Sequence, residues 1–130
     1  MNKISNYRIL IWSENPDELM KFYRDVLELE VAVELKLSND YGYGLKIAGT
    51  NLLLFIGKHS DIKGKAKEPF RHMFNFYVND VFAWYEKLKD RADTEIIAKP
   101  YRTPPSTDDN PKYVFTLLDP DGNCLQFMNP

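Results

Sequence analysis

The sequence predicts an α+β domain made of two successive βαβββ units, and three observations lead to that prediction. Strand-like runs and amphipathic helical stripes follow one another in the same order in each half of the chain. A good helix-capping residue stands at the equivalent place in each half, Asn15 in the first and Asp80 in the second. The turn sequence Asp119–Asn123 closes the second half with a hairpin. A duplicated unit explains all three observations together.

The first half begins with a predicted strand at Tyr7–Trp12 and continues with a helix that starts after Asn15. Asn15 is a favoured N-cap, Pro16 suits the first helical position, and Glu18 completes a capping box. An apolar stripe at helical spacing then marks the buried side of the helix. The stripe comprises Leu19, Phe22, Tyr23, Val26 and Leu27, and strands are predicted after it at residues 30–37, 41–47 and 51–56.

The second half repeats this order. A strand at His72–Val78 leads to the cap Asp80, and a second apolar stripe follows at helical spacing. The stripe comprises Val81, Trp84, Tyr85 and Leu88, and strands are predicted after it at residues 94–99, 113–118 and 124–128. The first unit therefore spans residues 5–57, a Lys-rich linker residues 58–70, and the second unit residues 71–130 of one single domain, 1–130.

Composition excludes several classes of partner. The formal net charge of −2 gives no reason to expect nucleic acid or an anionic membrane surface. The N-terminus has no apolar run of signal-peptide form, and no stretch approaches membrane-spanning length. A single cysteine, Cys124, rules out a disulfide within the chain and suits a reducing compartment. We therefore expect a cytoplasmic protein.

Two stretches resemble a known family. The stretch from Asn15-Pro16 to Leu27 resembles the first-helix pattern of the vicinal oxygen chelate superfamily, with Glu28 where that pattern has glycine. Asp119–Asn123, followed by an apolar strand, resembles the family's terminal turn. The family includes glyoxalase I, extradiol dioxygenases and bleomycin-resistance proteins. The resemblance implies an open, curled eight-stranded mixed sheet with helices on the convex face, a site on the concave face, and a homodimer.

The resemblance also locates four positions where metal enzymes of the family take ligands, on the first and fourth strand of each unit. Counting from the caps and the turn places Arg8, Leu54, Met73 and Gln126 there. Divalent ions of this class take imidazole and carboxylate donors, whereas Arg8 repels a cation and Leu54 has no donor atom. His72 is one residue out of phase, on the helix-covered side of its strand. We expect a metal-free branch of the family, with no metal and no cofactor.

The concave face has the composition of a small-molecule pocket, with apolar walls and a few polar groups. Alternation along the strands brings Cys124 to the same face as Gln126. Its thiol is either reactive or inert. A tight final hairpin places Phe115 opposite Gln126. Ligand-binding residues are predicted to be Arg8, Trp12, Met73, Asn75, Tyr77, Phe115 and Gln126.

The expected function is binding of a small aromatic or anionic molecule of unknown identity on the concave face. One alternative is a metal-dependent lyase, isomerase or dioxygenase of the same superfamily; another is a non-catalytic dimerisation or partner-binding module with a closed cavity. Enzymatic activity is not predicted, because the predicted face has no evident titratable base. Individual residues also have alternatives: Arg8 can pair with a carboxylate across the sheet, and Asn75 and Gln126 can satisfy each other.

Overall fold

The computed structural model describes residues 2–130. The chain divides into two compact units, the first ending at Gly64 and the second beginning at Lys65, inside the predicted linker. Each unit has the order strand, helix, strand, strand, strand. The predicted α+β class with two βαβββ units is confirmed.

In the first unit the helix packs on one face of a mixed sheet. The strand order is β1-β4-β3-β2, with β1 and β4 parallel and the other neighbours antiparallel. The helix starts as a regular α-helix and continues at residues 22–26 as a π-helical segment, in which the Leu27 N–H reaches the Phe22 carbonyl. The elements are β1 (Ile9–Ser13), α1 (Pro16–Lys21), β2 (Glu30–Leu37), β3 (Asp40–Lys46) and β4 (Leu53–Lys58).

The second unit repeats this topology, with strand order β5-β8-β7-β6 and a parallel β5–β8 pair. The strands are hydrogen-bonded as two sheets of four, one in each unit. The elements are β5 (Met73–Tyr77), α2 (Val81–Leu88), β6 (Glu95–Arg102), β7 (Tyr113–Leu118) and β8 (Cys124–Met128).

The two helices begin differently. Asp80 caps α2 as predicted, because its Oδ1 accepts a hydrogen bond from the Ala83 N–H at 3.0 Å. The capping box predicted at Asn15 is wrong, since the Asn15 side chain makes no capping bond. Its backbone N–H donates to Ser13 Oγ at 3.0 Å instead, and Glu18 pairs with Lys21. Among the residues described, no helix is long and apolar enough to cross a bilayer.

Each sheet has a helix face, which packs against the helix of its own unit, and an opposite face that we call the distal face. In β1 the buried Ile11 and Ser13 alternate with the exposed Leu10 and Trp12, so the latter two lie on the distal face.

In the second unit the helix face is marked by aromatic contacts. Trp84 and Tyr85 of α2 pack on Phe127 and Phe115, respectively, with ring centroids 5.5 Å apart in both pairs. The distal faces therefore carry the side chains predicted for the concave face, with the exception of Leu54 and Phe115.

The predicted hairpin at the end of the chain is present, and Asp119 organises it. This residue is only 2% exposed, and its Oδ1 accepts hydrogen bonds from the N–H groups of Asp121 and Asn123 at 2.9 and 2.8 Å. Gly122 has a φ of 79°, a conformation that glycine adopts without penalty. The turn thus includes Asn123, and this length sets the register of β8 against β7.

Candidate functional site

The register of the two parallel strand pairs gives the equivalence between the units. Leu10 pairs with Phe55 in the first unit, and Asn75 pairs with Gln126 in the second. Leu10 and Asn75 each lie five residues before the helix cap. Phe55 is therefore the counterpart of Gln126, and the prediction of Leu54 at this position is wrong by one residue. Leu54 is fully buried at the neighbouring register position, which faces the helix.

The four positions at the first and fourth strands thus carry Arg8, Phe55, Met73 and Gln126. Of these side chains only Gln126 offers an oxygen donor. His72 precedes β5 and is exposed. Within residues 2–130, no group of three or more His, Cys, Asp or Glu side chains is arranged to hold a metal ion.

In the first unit Arg8 lies over an aromatic ring. Its guanidinium carbon is 5.3 Å from the ring centroid of Phe55, a cation–π distance. Arg8 is exposed, and no carboxylate of the described residues forms an ion pair with it. The alternative in which Arg8 pairs with a carboxylate across the sheet therefore does not hold in this structure.

Trp12 lies beside this pair and is held by two contacts that sequence reasoning missed. A Cβ at Gly57 would lie only 2.7 Å from Cζ3 of Trp12, so the indole packs directly on the glycine backbone. The ring of His59 meets the indole edge-on, with centroids 5.3 Å apart. Trp12 stays 40% exposed, which leaves part of the indole accessible. The signal for the first contact was the Gly57 position opposite Trp12 in the parallel pair.

In the second unit the distal face carries a row of three polar side chains on adjacent strands. Asn75 on β5 pairs with Gln126 on β8, which pairs with Thr116 on β7. Gln126 Nε2 donates to Thr116 Oγ1 at 3.2 Å. We call Asn75, Gln126 and Thr116 the amide row. Thr116 was not among the predicted site residues.

Met73 and Tyr77 flank the amide row on β5. They are 46% and 65% exposed, respectively, and alternate with the half-buried Phe74 and Phe76. Met73 pairs with Cys124 and Tyr77 with Met128, so a mainly apolar row lies on each side of the amide row. The predicted residues Met73, Asn75, Tyr77 and Gln126 therefore lie together on one sheet.

The predicted position of Phe115 is wrong. Phe115 pairs with Phe127 rather than with Gln126, is fully buried, and stacks on Phe127 at a centroid distance of 5.1 Å. The turn contains one residue more than the predicted tight hairpin, and a shift of one residue moves a side chain to the opposite face. Phe115 belongs to the core between the sheet and α2.

Cys124 is fully buried. Burial, and to a smaller extent the negative charge of Asp119, raises the pKa of its thiol. The thiol is therefore protonated near neutral pH, and it is not an activated nucleophile.

Comparison with known proteins agrees with this duplicated architecture. The model of the glyoxalase/bleomycin resistance protein/dioxygenase superfamily matches residues 7–127. The chain belongs to this superfamily. No curated protein sequence matches the chain at a significant level.

Solved structures of glyoxalase-type proteins share the fold of this superfamily member. A putative glyoxalase family protein from Bacillus anthracis is 20% identical, with a TM-score of 0.73, covering 99% of this chain and 98% of that one. A lactoylglutathione lyase from Agrobacterium tumefaciens is 22% identical, with a TM-score of 0.66, covering 98% and 95% of the two chains. A superfamily member from Sphaerobacter thermophilus is 15% identical, with a TM-score of 0.72, covering 98% of both chains. At these identities the likeness concerns the fold alone.

Proposed function

We propose that this superfamily member binds a small aromatic or anionic molecule on the distal faces of its sheets and does so without a divalent metal ion. The four side chains at the family's ligand positions do not fit such an ion. Arg8 carries a positive charge and no lone pair, Phe55 has no donor atom, and the thioether of Met73 is a soft, weak ligand. A cytoplasmic location, expected from the sequence composition, and a homodimer, implied by the resemblance, remain part of the proposal.

The observation that carries the proposal is the position of Arg8 over Phe55 beside the accessible indole of Trp12. An arginine without a carboxylate partner offers five N–H donors in a planar fork that suits carboxylates. The indole offers an apolar surface on which a flat ring can stack. An aromatic carboxylate matches both groups at once.

Tryptophan fluorescence tests the proposal, because the two tryptophans lie on opposite faces. Trp12 lies on the distal face of the first unit's sheet, whereas Trp84 packs against the helix face of the second unit's sheet. We expect 4-nitrobenzoate to quench the Trp84→Phe variant saturably, since only Trp12 emits there. The matched control is Trp12→Phe, in which the remaining Trp84 should show no saturable quenching. Equal quenching of both variants, or none of either, contradicts the proposal.

A second measurement addresses the metal. The protein is incubated with Zn²⁺, Ni²⁺, Mn²⁺ or Fe²⁺, desalted, and analysed for bound metal. We expect substoichiometric retention of all four ions, with no protection against thermal unfolding. Stoichiometric retention that is lost in Gln126→Leu would show that these positions hold a metal after all.

A further inference from the structure

The amide row differs in chemistry from the equivalent row of the first unit. At the same register, Leu10, Phe55 and Gly44 offer no side-chain hydrogen bond. Asn75 and Gln126 instead provide two neutral carboxamides side by side. The next residue of the row is Ala98 on β6, opposite Thr116, so the row has a small apolar neighbour at that end.

The amides of the row retain hydrogen-bonding capacity. Gln126 uses one N–H for Thr116. No hydrogen bond joins Asn75 to Gln126, and the Asn75 side chain has no hydrogen-bond partner within residues 2–130. Asn75 is exposed, and none of the buried side-chain N and O atoms described lacks a partner, so the unpaired carbonyl oxygen of the half-buried Gln126 is accessible as well. The alternative that Asn75 and Gln126 satisfy each other therefore does not hold in this structure.

The strands of this sheet carry three charged residues, all in β6: Glu95 and Arg102 at its ends, and Lys99, which is exposed and directly follows Ala98. In the register of β6 and β7, Glu95 pairs with Leu118 and Arg102 pairs with Tyr113, at the two ends of the strand pair. Arg102 is already engaged with Ser106 and Asp108. An ionised carboxylate only accepts hydrogen bonds, so a ligand carboxylate on the row would leave the amide carbonyl oxygens without a donor. A carboxamide offers both a donor and an acceptor, as the amides of the row do.

We propose that the amide row is a subsite for a neutral carboxamide or cyclic imide group of a ligand, paired through reciprocal N–H···O=C hydrogen bonds. The apolar rows beside it, with Met73 and Tyr77 exposed, contact the carbon skeleton. This inference rests on the proposed function, since it assumes that the distal faces bind small molecules. It adds a second recognition chemistry to that of Arg8: the second unit selects a neutral polar group, and the first an anionic one.

The side-chain NH₂ groups of the row allow a direct test by NMR. A ¹H–¹⁵N correlation spectrum of the ¹⁵N-labelled full chain shows these groups, and Gln126→Met and Asn75→Leu assign them by loss of their signals. We expect benzamide to shift both pairs of signals saturably. We expect benzoate, the matched anionic probe, to leave them in place. The NH₂ signals of Asn51, in the β3–β4 loop of the first unit, serve as an internal control.

Variants then separate the two recognition sites. Gln126→Met should weaken benzamide binding by roughly tenfold, the effect of losing one or two hydrogen bonds. Arg8→Met should leave benzamide binding unchanged. Because the wild-type signals report contact directly, the test does not depend on every variant folding.

The outcomes are distinct for the two proposals. If 4-nitrobenzoate quenches Trp12 but benzamide shifts neither NH₂ pair, the carboxamide subsite is wrong and the proposed function stands. If benzoate shifts the NH₂ signals as strongly as benzamide does, the row does not select neutral groups and the inference fails. If no probe affects any residue of either distal face, both proposals fail.

Discussion

The guanidinium carbon of Arg8 lies 5.3 Å from the centre of the Phe55 ring. These two residues occupy the first-strand and fourth-strand positions of one unit, where metal enzymes of the resembled family place ligands. In this chain the two side chains interact with each other, since the aromatic face attracts the cation. The contact leaves the N–H groups of the guanidinium edge available to a ligand.

Removing either partner should reveal how this pair works. We expect Arg8→Met to abolish saturable quenching of Trp12 by 4-nitrobenzoate while changing the free energy of unfolding by no more than about 1 kcal/mol, because Arg8 is exposed. A double-mutant cycle with Phe55→Leu should give a coupling energy of about 0.5–1 kcal/mol in urea unfolding. Unchanged quenching in Arg8→Met would show that the guanidinium does not contact the ligand.

Asp17 should make the first unit sensitive to acid. Its Oδ1 accepts hydrogen bonds from the hydroxyls of Tyr43 and Tyr41 at 2.5 and 2.7 Å. These bonds, that of Tyr43 first, lower the pKa of the Asp17 carboxyl. The associated stability is therefore fully present above the unfolded pKa of about 3.9 and is lost as the pH falls through the lower folded pKa.

We accordingly expect Asp17→Asn to be less stable than wild type at pH 6, with the difference shrinking as the pH is lowered to about 2. Urea unfolding across this range measures it. The hydrogen bond from Tyr43 is the larger cause of the lowered pKa. The stability of Tyr43→Phe should therefore depend less on pH between about 6 and 2 than that of wild type. A difference between wild type and Asp17→Asn that stays constant with pH would contradict this assignment.

Glu28 ends the first helix in a strained conformation. Its φ is 64°, in the left-handed region where a side chain costs about 1–2 kcal/mol. The family pattern has glycine here, so Glu28→Gly should raise the free energy of unfolding by about 1 kcal/mol. Glu28→Ala is the matched control, because it removes the same side-chain contacts but keeps the Cβ. If the two variants are equally stable, backbone strain is not what limits this position.

Asp119 should be the most sensitive residue of the final hairpin. Its buried carboxylate accepts two backbone N–H groups and the Asn123 side-chain amide. Asp119→Ala leaves these donors unpaired, and we expect a loss of about 3 kcal/mol or more in unfolding free energy. Asp109→Ala, in an exposed loop, should change stability by less than about 0.5 kcal/mol. A small effect at Asp119 would mean that water replaces the carboxylate.

The sequence was sufficient for the elements of the fold but not for its register. β2, β7 and β8 begin and end at the predicted residues, since turns and β-branched or aromatic runs mark them clearly. The run Leu52–Phe55 has no such internal mark. Phe55 and Phe127 match in residue type, yet Phe127 packs against the helix of its unit and Phe55 lies on the distal face.

The same limitation explains the error at Phe115. Whether a hairpin turn contains four residues or five depends on side-chain hydrogen bonds, here those between Asp119 and Asn123. These are local contacts within the turn, and the alternation of side chains along the strands does not encode them. The position of Trp12 on Gly57 was missed for a related reason, because it depends on a side chain that is absent.

Phe55 and Gln126 occupy equivalent positions in the two units, so each position can be substituted separately. A duplicated backbone provides two structurally equivalent positions on separate sheets, and a substitution at one position leaves the side chain at the other unchanged. One copy carries an aromatic ring beneath a cation, and the other carries a pair of neutral amides. If the distal faces bind small molecules as proposed, altering one half would change one recognition chemistry and leave the other in place.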